Sequence, residues 1–335
     1  MNIYVLNTLE SGIHLVEVLK DQLHISGILG LNPTGVDPKK VSGYTDQEAF
    51  CQSNDIPFIQ LRSYSLKEDS DKRTLLSLEI DILIVSGWQR LIPNWLIQHA
   101  TVCIGGHGSP YGITEGRGRS PQNWAFILGC KSFHFSIFKI EAGMDSGEII
   151  DSAQFPLTDM DDISTSYKKV TLLMAQLLIK NIQTNQIFKP CQKQSKEGLY
   201  FPQRTAEDGQ IDWNRPTTEI YNFVRALTHP YPGAFTNINE YRISIWKVKP
   251  FVLHTYPKTI PGQILQIYSD STCLVSTTDG YLLLEDYQSE LALTVGMRLQ
   301  SASFSEQMKT IITRHTKKHP DLPLHPDILA LAKHK

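Results

Sequence analysis

Two short segments hold the residue types that can do chemistry. The first, CIGGHGSPYGITEGRGRSPQNWAFILG (103–129), places His107 in a glycine-rich run and follows it with Arg117 and Arg119. The second, EAGMDSGEII (141–150), puts Asp145 in a glycine-flanked turn ahead of a β-rich run. A histidine held by a carboxylate can carry a proton and bear transient positive charge, which acyl transfer to an amine requires. A lone histidine is more often structural; the carboxylate expected in the same sheet is what raises His107 above that reading.

Other chemistries lack their residues. The opening VLNTLESGIHL has no G-x-G-x-x-G to bring backbone against a pyrophosphate, and no G-x-x-x-x-G-K-[ST] loop occurs. His315 and His319 stand four apart but without the glutamate of a metalloprotease helix, so no metal is expected and a solvated tail is the simpler reading. Cys51, Cys103, Cys130, Cys191 and Cys273 form no C-x-x-C pair, arguing against a disulfide framework or thiolate zinc site. No apolar run approaches the ~18 residues of a membrane span and no secretory signal is visible, so a cytoplasmic protein is expected.

The elements that must position these residues follow from pattern. NIYVLN, SGIHLVEVLKDQL, HISGILGL, TDQEAFCQSN and IPFIQL alternate β-rich and amphipathic runs, which predicts βαβ units around a parallel sheet. Thr45 with Glu48 fits a capping box opening the second helix. DILIVSG and TVCIGG read as neighbouring strands, and ligands collect beyond the carboxyl ends of such strands, so GWQRLIP and GGHGSPYG are expected to line one cleft. A helix at PQNWAFILG, strands at SFHFSIFKI and SGEIIDSAQFPL, and a long helix at STSYKKVTLLMAQLLIKNIQTN complete this half. Beyond residue 190, KPCQKQSKEGLYFPQRTAEDGQIDWNRP reads as a connection; the helix TTEIYNFVRALT and turn-separated strands including STCLVSTTDGYLLLEDYQ then suggest a small barrel. The boundaries adopted are 1–190, a linker at 191–215, a second domain at 216–305, and a basic, His-rich tail at 306–335 with a terminal helix.

GGHGSPYGITEGRGRSPQNWA followed by GMDSGEII resembles the folate-dependent formyltransferases, whose signature is an Asn-x-His segment, an R-G-R-x-P-like segment and an Asp-[ST]-Gly turn. YFPQRTAEDGQIDWNRPTTEIYNFVRALTHPYPGAFT resembles the linker and the start of that family's C-terminal domain, so the likeness runs from Met1 to about residue 300. It implies an α/β fold: a Rossmann-like formyltransferase domain with a mostly parallel sheet, then a small OB-like β-barrel. It also implies transfer of a formyl group from 10-formyltetrahydrofolate to a primary amine. His107 and Asp145 match the catalytic pair; Gly87, Trp88, Gln89, Arg90, Leu91 and Ile92 match the loop that receives the pterin, although Trp88 and Leu91 read equally well as core. Arg117 and Arg119 match arginines of the sugar-nucleotide branch, with Ser109 and Asn123 as further polar contacts.

One position departs. Where the family has asparagine two residues before the histidine, this chain has Gly105. Loss of one oxyanion donor costs about 3–4 kcal/mol, so a weak or non-catalytic folate- and nucleotide-binding protein is an alternative, unless the N–H of Gly106 or His107, or an ordered water, takes over. The formal charge of −2, and a region NPTGVDPKKVSGYTDQEAF without a long basic loop, favour a small nucleotide-linked amino sugar over tRNA. Methionyl-tRNA formyltransferase activity is the minority alternative, no membrane partner is expected, and a homodimer is compatible with the sequence.

Overall fold

The computed structural model describes residues 1–31, 43–253 and 259–333. Most of the NPTGVDPKKVSGYTDQEAF region, on which the argument about a basic loop rests, lies outside them. The chain divides into two compact units, the first made of Met1–Arg117, His134–Phe155 and Tyr167–Glu197, the second of Gly118–Phe133, Pro156–Ser166 and Gly198–Lys335.

In chain order the first half runs β1 (Ile3–Leu6), α1 (Glu10–Leu19), β2 (Gly27–Leu31), α2 (Glu48–Ser53), β3 (Phe58–Leu61), α3 (Asp69–Leu76), β4 (Ile82–Val85), α4 (Asn94–His99), β5 (Val102–Ser109), β6 (Arg117–Gly118), α5 (Pro121–Ile127), β7 (Ser132–Lys139), β8 (Ile149–Pro156) and α6 (Ile163–Gln183). The main sheet has the order β3-β2-β1-β4-β5-β7-β8. Strands β1 to β5 pair in parallel, and β7 returns antiparallel to β5 with His107 opposite Ser136. Side chains alternate along each strand, so Ile3, Val5, Ile82 and Ile84 join one core with Leu15, Val16, Met174 and Leu178, while Leu6 and Leu83 join another with Leu75, Trp88 and Leu96. Burial on both faces explains the continuous apolar run of DILIVSG. The order reverses between β1 and β4, which makes the loops after those two strands the expected ligand edge.

Helix α2 begins at Glu48 behind Gln47, with no side-chain cap, so the Thr45 capping box does not form; the Asp46 carboxylate accepts the Glu48 N–H at 3.0 Å instead. Thr45 is held differently, its own N–H donating to Thr8 O at 3.0 Å.

The second half adds β9 (Tyr200–Phe201), α7 (Thr217–Arg225), β10 (Ala234–Ile238), β11 (Tyr241–Phe251), β12 (Ile264–Ile267), β13 (Cys273–Ser276), β14 (Tyr281–Ser289), α8 (Phe304–Lys318) and α9 (Pro326–Leu331). Its antiparallel sheet has the order β10-β11-β14-β13-β12; among the described residues the two edge strands do not pair, so the sheet is open rather than a closed barrel. The TTDG segment does make the tight link from β13 to β14, with Thr277 N–H donating to Gly280 O at 2.9 Å. None of the described helices is long and apolar enough to cross a membrane.

The basic tail is not a solvated strand of chain. Phe304, Met308, Ile311 and His315 recur at helical spacing and are buried along α8. His315 Nε2 is hydrogen-bonded to Leu322 O at 2.9 Å, so it serves packing. Arg314 of the same helix donates from Nη1 to the buried Asp208 carboxylate at 3.2 Å, and Thr205 N–H donates to it at 2.7 Å. Burial alone would raise the Asp208 pKa, but the Arg314 and Thr205 hydrogen bonds outweigh it and hold the carboxyl below its usual value. A depressed carboxylate contributes stability above its unfolded value of ~3.9 and loses it as pH falls through the lower folded value. Arg314→Leu is therefore expected to cost about 1–3 kcal/mol at pH ~7, and to flatten the loss of stability on acidification below pH ~4, both read from urea melts.

Candidate active site

His107 lies inside β5, not in a loop after it. The strand continues through Ser109 because β7 pairs with it over Ile104–Ser109. Alternation puts Cys103, Gly105 and His107 on one face of the sheet. The imidazole is fixed at Nε2, which lies 2.7 Å from Gly116 O. A carbonyl only accepts, so Nε2 carries hydrogen and Nδ1 is the nitrogen able to take a further proton. Nδ1 faces Asp145 Oδ2 at 3.6 Å, with the side chains only 10% and 21% exposed. That separation exceeds a hydrogen bond but is within ion-pair range, so a proton arriving at Nδ1 creates an imidazolium opposite a carboxylate.

The turn carrying Asp145 is tightly specified. Asp145 has φ +53°, a left-handed conformation that aspartate tolerates better than most residues. At Gly147 a Cβ would stand 1.7 Å from Lys139 O, so only glycine permits this approach. Lys139 N–H donates to Glu148 O at 2.9 Å and Lys139 Nζ to the Glu148 carboxylate at 3.1 Å. The Lys139 hydrogen bond, helped by the Cys191 N–H, holds the Glu148 carboxyl below its usual pKa. Gln194, invisible as a site residue in the sequence, donates from Nε2 to Asp145 O at 2.9 Å and Gly147 O at 2.7 Å.

The loop 87–92 lies at the topological switch point. Thr8, just after β1, donates its hydroxyl to Gly87 O at 2.7 Å, joining the loops that follow β1 and β4. Gly87 has φ +78°, and a Cβ there would stand 2.3 Å from Asn7 Oδ1. Trp88 and Ile92 are buried and anchor the loop. Trp88 packs edge-on against Tyr64 with ring centroids 4.9 Å apart, and its buried Nε1 has no hydrogen-bond partner. Gln89 N–H donates to the Tyr64 hydroxyl at 2.9 Å and the Arg90 guanidinium lies over the Tyr64 ring, while Leu91 is 72% exposed. The two apolar residues thus divide: Trp88 belongs to the core and Leu91 does not. Trp88→Ala is expected to cost about 3–5 kcal/mol of stability and Leu91→Ala less than about 0.5 kcal/mol, by chemical denaturation.

Three residues expected to contact substrate have internal work instead. Ser109 is fully buried; its hydroxyl donates to Gly112 O at 2.7 Å and accepts Tyr111 N–H at 3.1 Å, which shapes the loop leading to Gly116. Asn123 is buried, with Nδ2 donating to Ala226 O at 2.7 Å. Arg117 is 2% exposed and donates to Gln194 Oε1 at 3.2 Å and Ser195 O at 2.7 Å, so its fork is closed to a diphosphate. Arg119 is exposed, and its backbone N–H donates to Phe201 O at 3.2 Å.

Gly105 is buried, and a Cβ there would stand 3.2 Å from both Ile140 and Phe138. The wall beside His107 at this point is apolar and offers no side-chain donor. Among the described residues no group of three or more His, Cys, Asp or Glu side chains is placed to hold a metal ion.

Comparison with known proteins bears on this geometry. Residues 31–182 match the family profile described as formyl transferase, and residues 204–298 that described as formyl transferase, C-terminal domain. A methionyl-tRNA formyltransferase of Bacillus velezensis is 24% identical over 275 residues, covering 81% of this chain and 84% of the relative. The N-formyltransferase of Helicobacter canadensis, solved with folinic acid and dTDP-3-aminofucose, shares the fold at TM-score 0.59 and 16% identity, over 86% of this chain and 100% of that one. HypX of Aquifex aeolicus, solved with tetrahydrofolic acid, shares it at TM-score 0.60 and 15% identity over 97% of this chain, which spans only 58% of HypX. The first profile encloses both His107 and Asp145, and with the second it accounts for most of the sequence: the chain belongs to the formyltransferase family and is a formyl-transferring enzyme.

Proposed function

We propose that this enzyme moves the formyl group of 10-formyltetrahydrofolate onto the primary amine of a nucleotide-linked amino sugar, with His107 and Asp145 as the catalytic pair. The observation that carries the chemistry is the imidazole fixed at Nε2 by Gly116 O, with Nδ1 turned to the Asp145 carboxylate 3.6 Å away. For the acceptor, support comes from the formal charge of −2, which is a poor match to a polyanion, and from the fold shared with an N-formyltransferase solved with a dTDP-sugar. A charged initiator tRNA is the second reading, favoured by the methionyl-tRNA formyltransferases among the sequence relatives.

The loop 87–92 fits a folate. It lies at the switch point, keeps an orphaned buried indole N–H at Trp88, and leaves Gln89, Arg90 and Leu91 exposed around it. Bound there, the folate supplies an activated formyl carbon. Transfer moves a proton off the attacking amine and develops negative charge on the formyl oxygen. His107 Nδ1 receives that proton, Asp145 stabilises the resulting imidazolium, and the proton passes to the folate nitrogen as its bond to the formyl carbon breaks.

The β5 backbone does not replace the donor expected from the family asparagine. Ile140 N–H donates to Cys103 O on the β7 side, so alternation sends the N–H groups of Gly105 and His107 to β7 and that of Gly106 to the β4 side. Pairing with β4 reaches Val85 opposite Gly105, a parallel register that directs the Gly106 N–H to Val85 O. The Gly106 and His107 N–H groups are thus both committed to the sheet, and the His107 imidazolium is the charge left to balance the oxyanion.

The test incubates the protein with 10-formyltetrahydrofolate and a panel of UDP- and dTDP-linked amino sugars, following folate absorbance and product mass, with aminoacylated initiator tRNA in parallel. Formylation of a sugar nucleotide alone is the expected result. Formylation of tRNA alone selects the second reading, and calorimetric binding of folate with no turnover on either acceptor rejects catalysis.

A further inference from the structure

The stretch 189–196 has the sequence character of a connection, yet it is zipped to the aspartate turn. Ile149 N–H donates to Gln192 O at 2.8 Å and Gln192 N–H to Ile149 O at 3.2 Å. Cys191 N–H donates to the Glu148 carboxylate at 3.2 Å, and Lys139 Nζ, already on that carboxylate, donates to Lys189 O at 2.8 Å.

Gln194 completes the attachment with every hydrogen-bonding capacity of its amide in use. Nε2 has two N–H groups, and they go to Asp145 O and Gly147 O. Oε1 has two lone pairs, and they accept from the Thr114 hydroxyl at 3.1 Å and Arg117 Nη2 at 3.2 Å. Thr114 and Arg117 flank Gly116, whose carbonyl fixes His107 Nε2. One side chain therefore ties the loop that orients the imidazole to the turn that presents the carboxylate. The buried Arg117 guanidinium, which also donates to Ser195 O, makes its bond to Oε1 charge-assisted.

We propose that Gln194 is a positioning residue for formyl transfer: it sets the His107–Asp145 separation by holding the 114–117 loop and the 145–147 turn in one register. The inference rests on the reading of His107 and Asp145 as the catalytic pair. An amide is required because the site needs two donors toward carbonyls and one acceptor toward a cation on the same planar group. Leucine supplies neither, and glutamate keeps the acceptor half while turning a carboxylate toward two carbonyl oxygens.

Two measurements on Gln194→Leu test this. With the acceptor identified above, kcat is expected to fall about 10- to 100-fold while KM for both substrates stays within about threefold, since the residue touches neither. Independently of any acceptor, the imidazole nitrogen shifts of His107, read by NMR at a pH where the ring is neutral, are expected to report the Nε2–H tautomer alone in the wild type. In the variant they report a mixture, because Gly116 is no longer fixed. A folded Gln194→Leu protein with kcat within twofold of wild type, or with an unchanged His107 tautomer, overturns the proposal. If Gln194→Leu does not fold, Gln194→Glu carries the same expectations, since it cannot donate to Asp145 O and Gly147 O. Wild-type protein that formylates no acceptor sinks the functional reading, whereas the tautomer comparison still decides the role of Gln194.

Discussion

His107→Gln is expected to lower kcat by about three powers of ten, within the range for a general acid–base group, with little change in melting temperature. Glutamine suits the test because its amide nitrogen can still donate to Gly116 O, the bond that His107 Nε2 makes at 2.7 Å. What it lacks is a basic nitrogen facing Asp145. Single-turnover rates at saturating substrate separate this chemical loss from binding, and a variant retaining a tenth of the wild-type rate would refute proton transfer through the ring. Asp145→Asn removes the charge opposite Nδ1 without changing side-chain size. In the proposed mechanism Asp145 acts only through the imidazolium, so the double variant is expected to be little slower than His107→Gln alone.

How far the sequence reveals this site depends on how local each residue's partners are. The βαβ alternation appears as a parallel sheet because strand and helix periods are short-range properties of the chain. His107 and Asp145 are marked by the glycines around them, and at Gly147 that glycine has a definite cause in the closeness of Lys139 O. Arg117, by contrast, has a residue type that suits a diphosphate, but its acceptors come from Gln194 and Ser195, far along the chain. Nothing near Arg117 signals that its guanidinium is buried against that distant segment. Gln194 is hidden for the same reason, since all its partners come from other segments and its own neighbourhood reads as a linker. The C-terminal stretch is different: Phe304, Met308, Ile311 and His315 carry a helical spacing legible without coordinates, obscured by the abundance of lysine and histidine around it.

Gly105 shows what a single departure does to such a site. An asparagine restored there begins with its Cβ 3.2 Å from Ile140 and Phe138, so both must give by a few tenths of an ångström before the amide reaches the reacting centre. The apolar lining has closed over the position that the family motif assigns to a polar group. The β5 backbone does not make up the loss, because the Val85–Gly105 register commits the Gly106 N–H to β4.

The second large effect is expected at Gly147. Gly147→Ala places a methyl carbon 1.7 Å from Lys139 O, an overlap with backbone that no rotamer can relieve. The turn must therefore lift away from the end of β7. That movement strains the Lys139 N–H bond to Glu148 O and withdraws the Gly147 carbonyl from Gln194. Overpacking of this kind costs about 1–3 kcal/mol, and an equilibrium melt is expected to show it. Activity is expected to suffer more than stability, by at least about 100-fold in kcat, because a displacement near 1 Å at a catalytic group is enough for that loss. Ser146→Ala serves as the control, since it trims a side chain in the same turn without adding bulk against Lys139. If Gly147→Ala loses stability but keeps its rate per folded molecule, the Asp145 carboxylate does not need its observed placement, and its part in transfer would have to be reassigned.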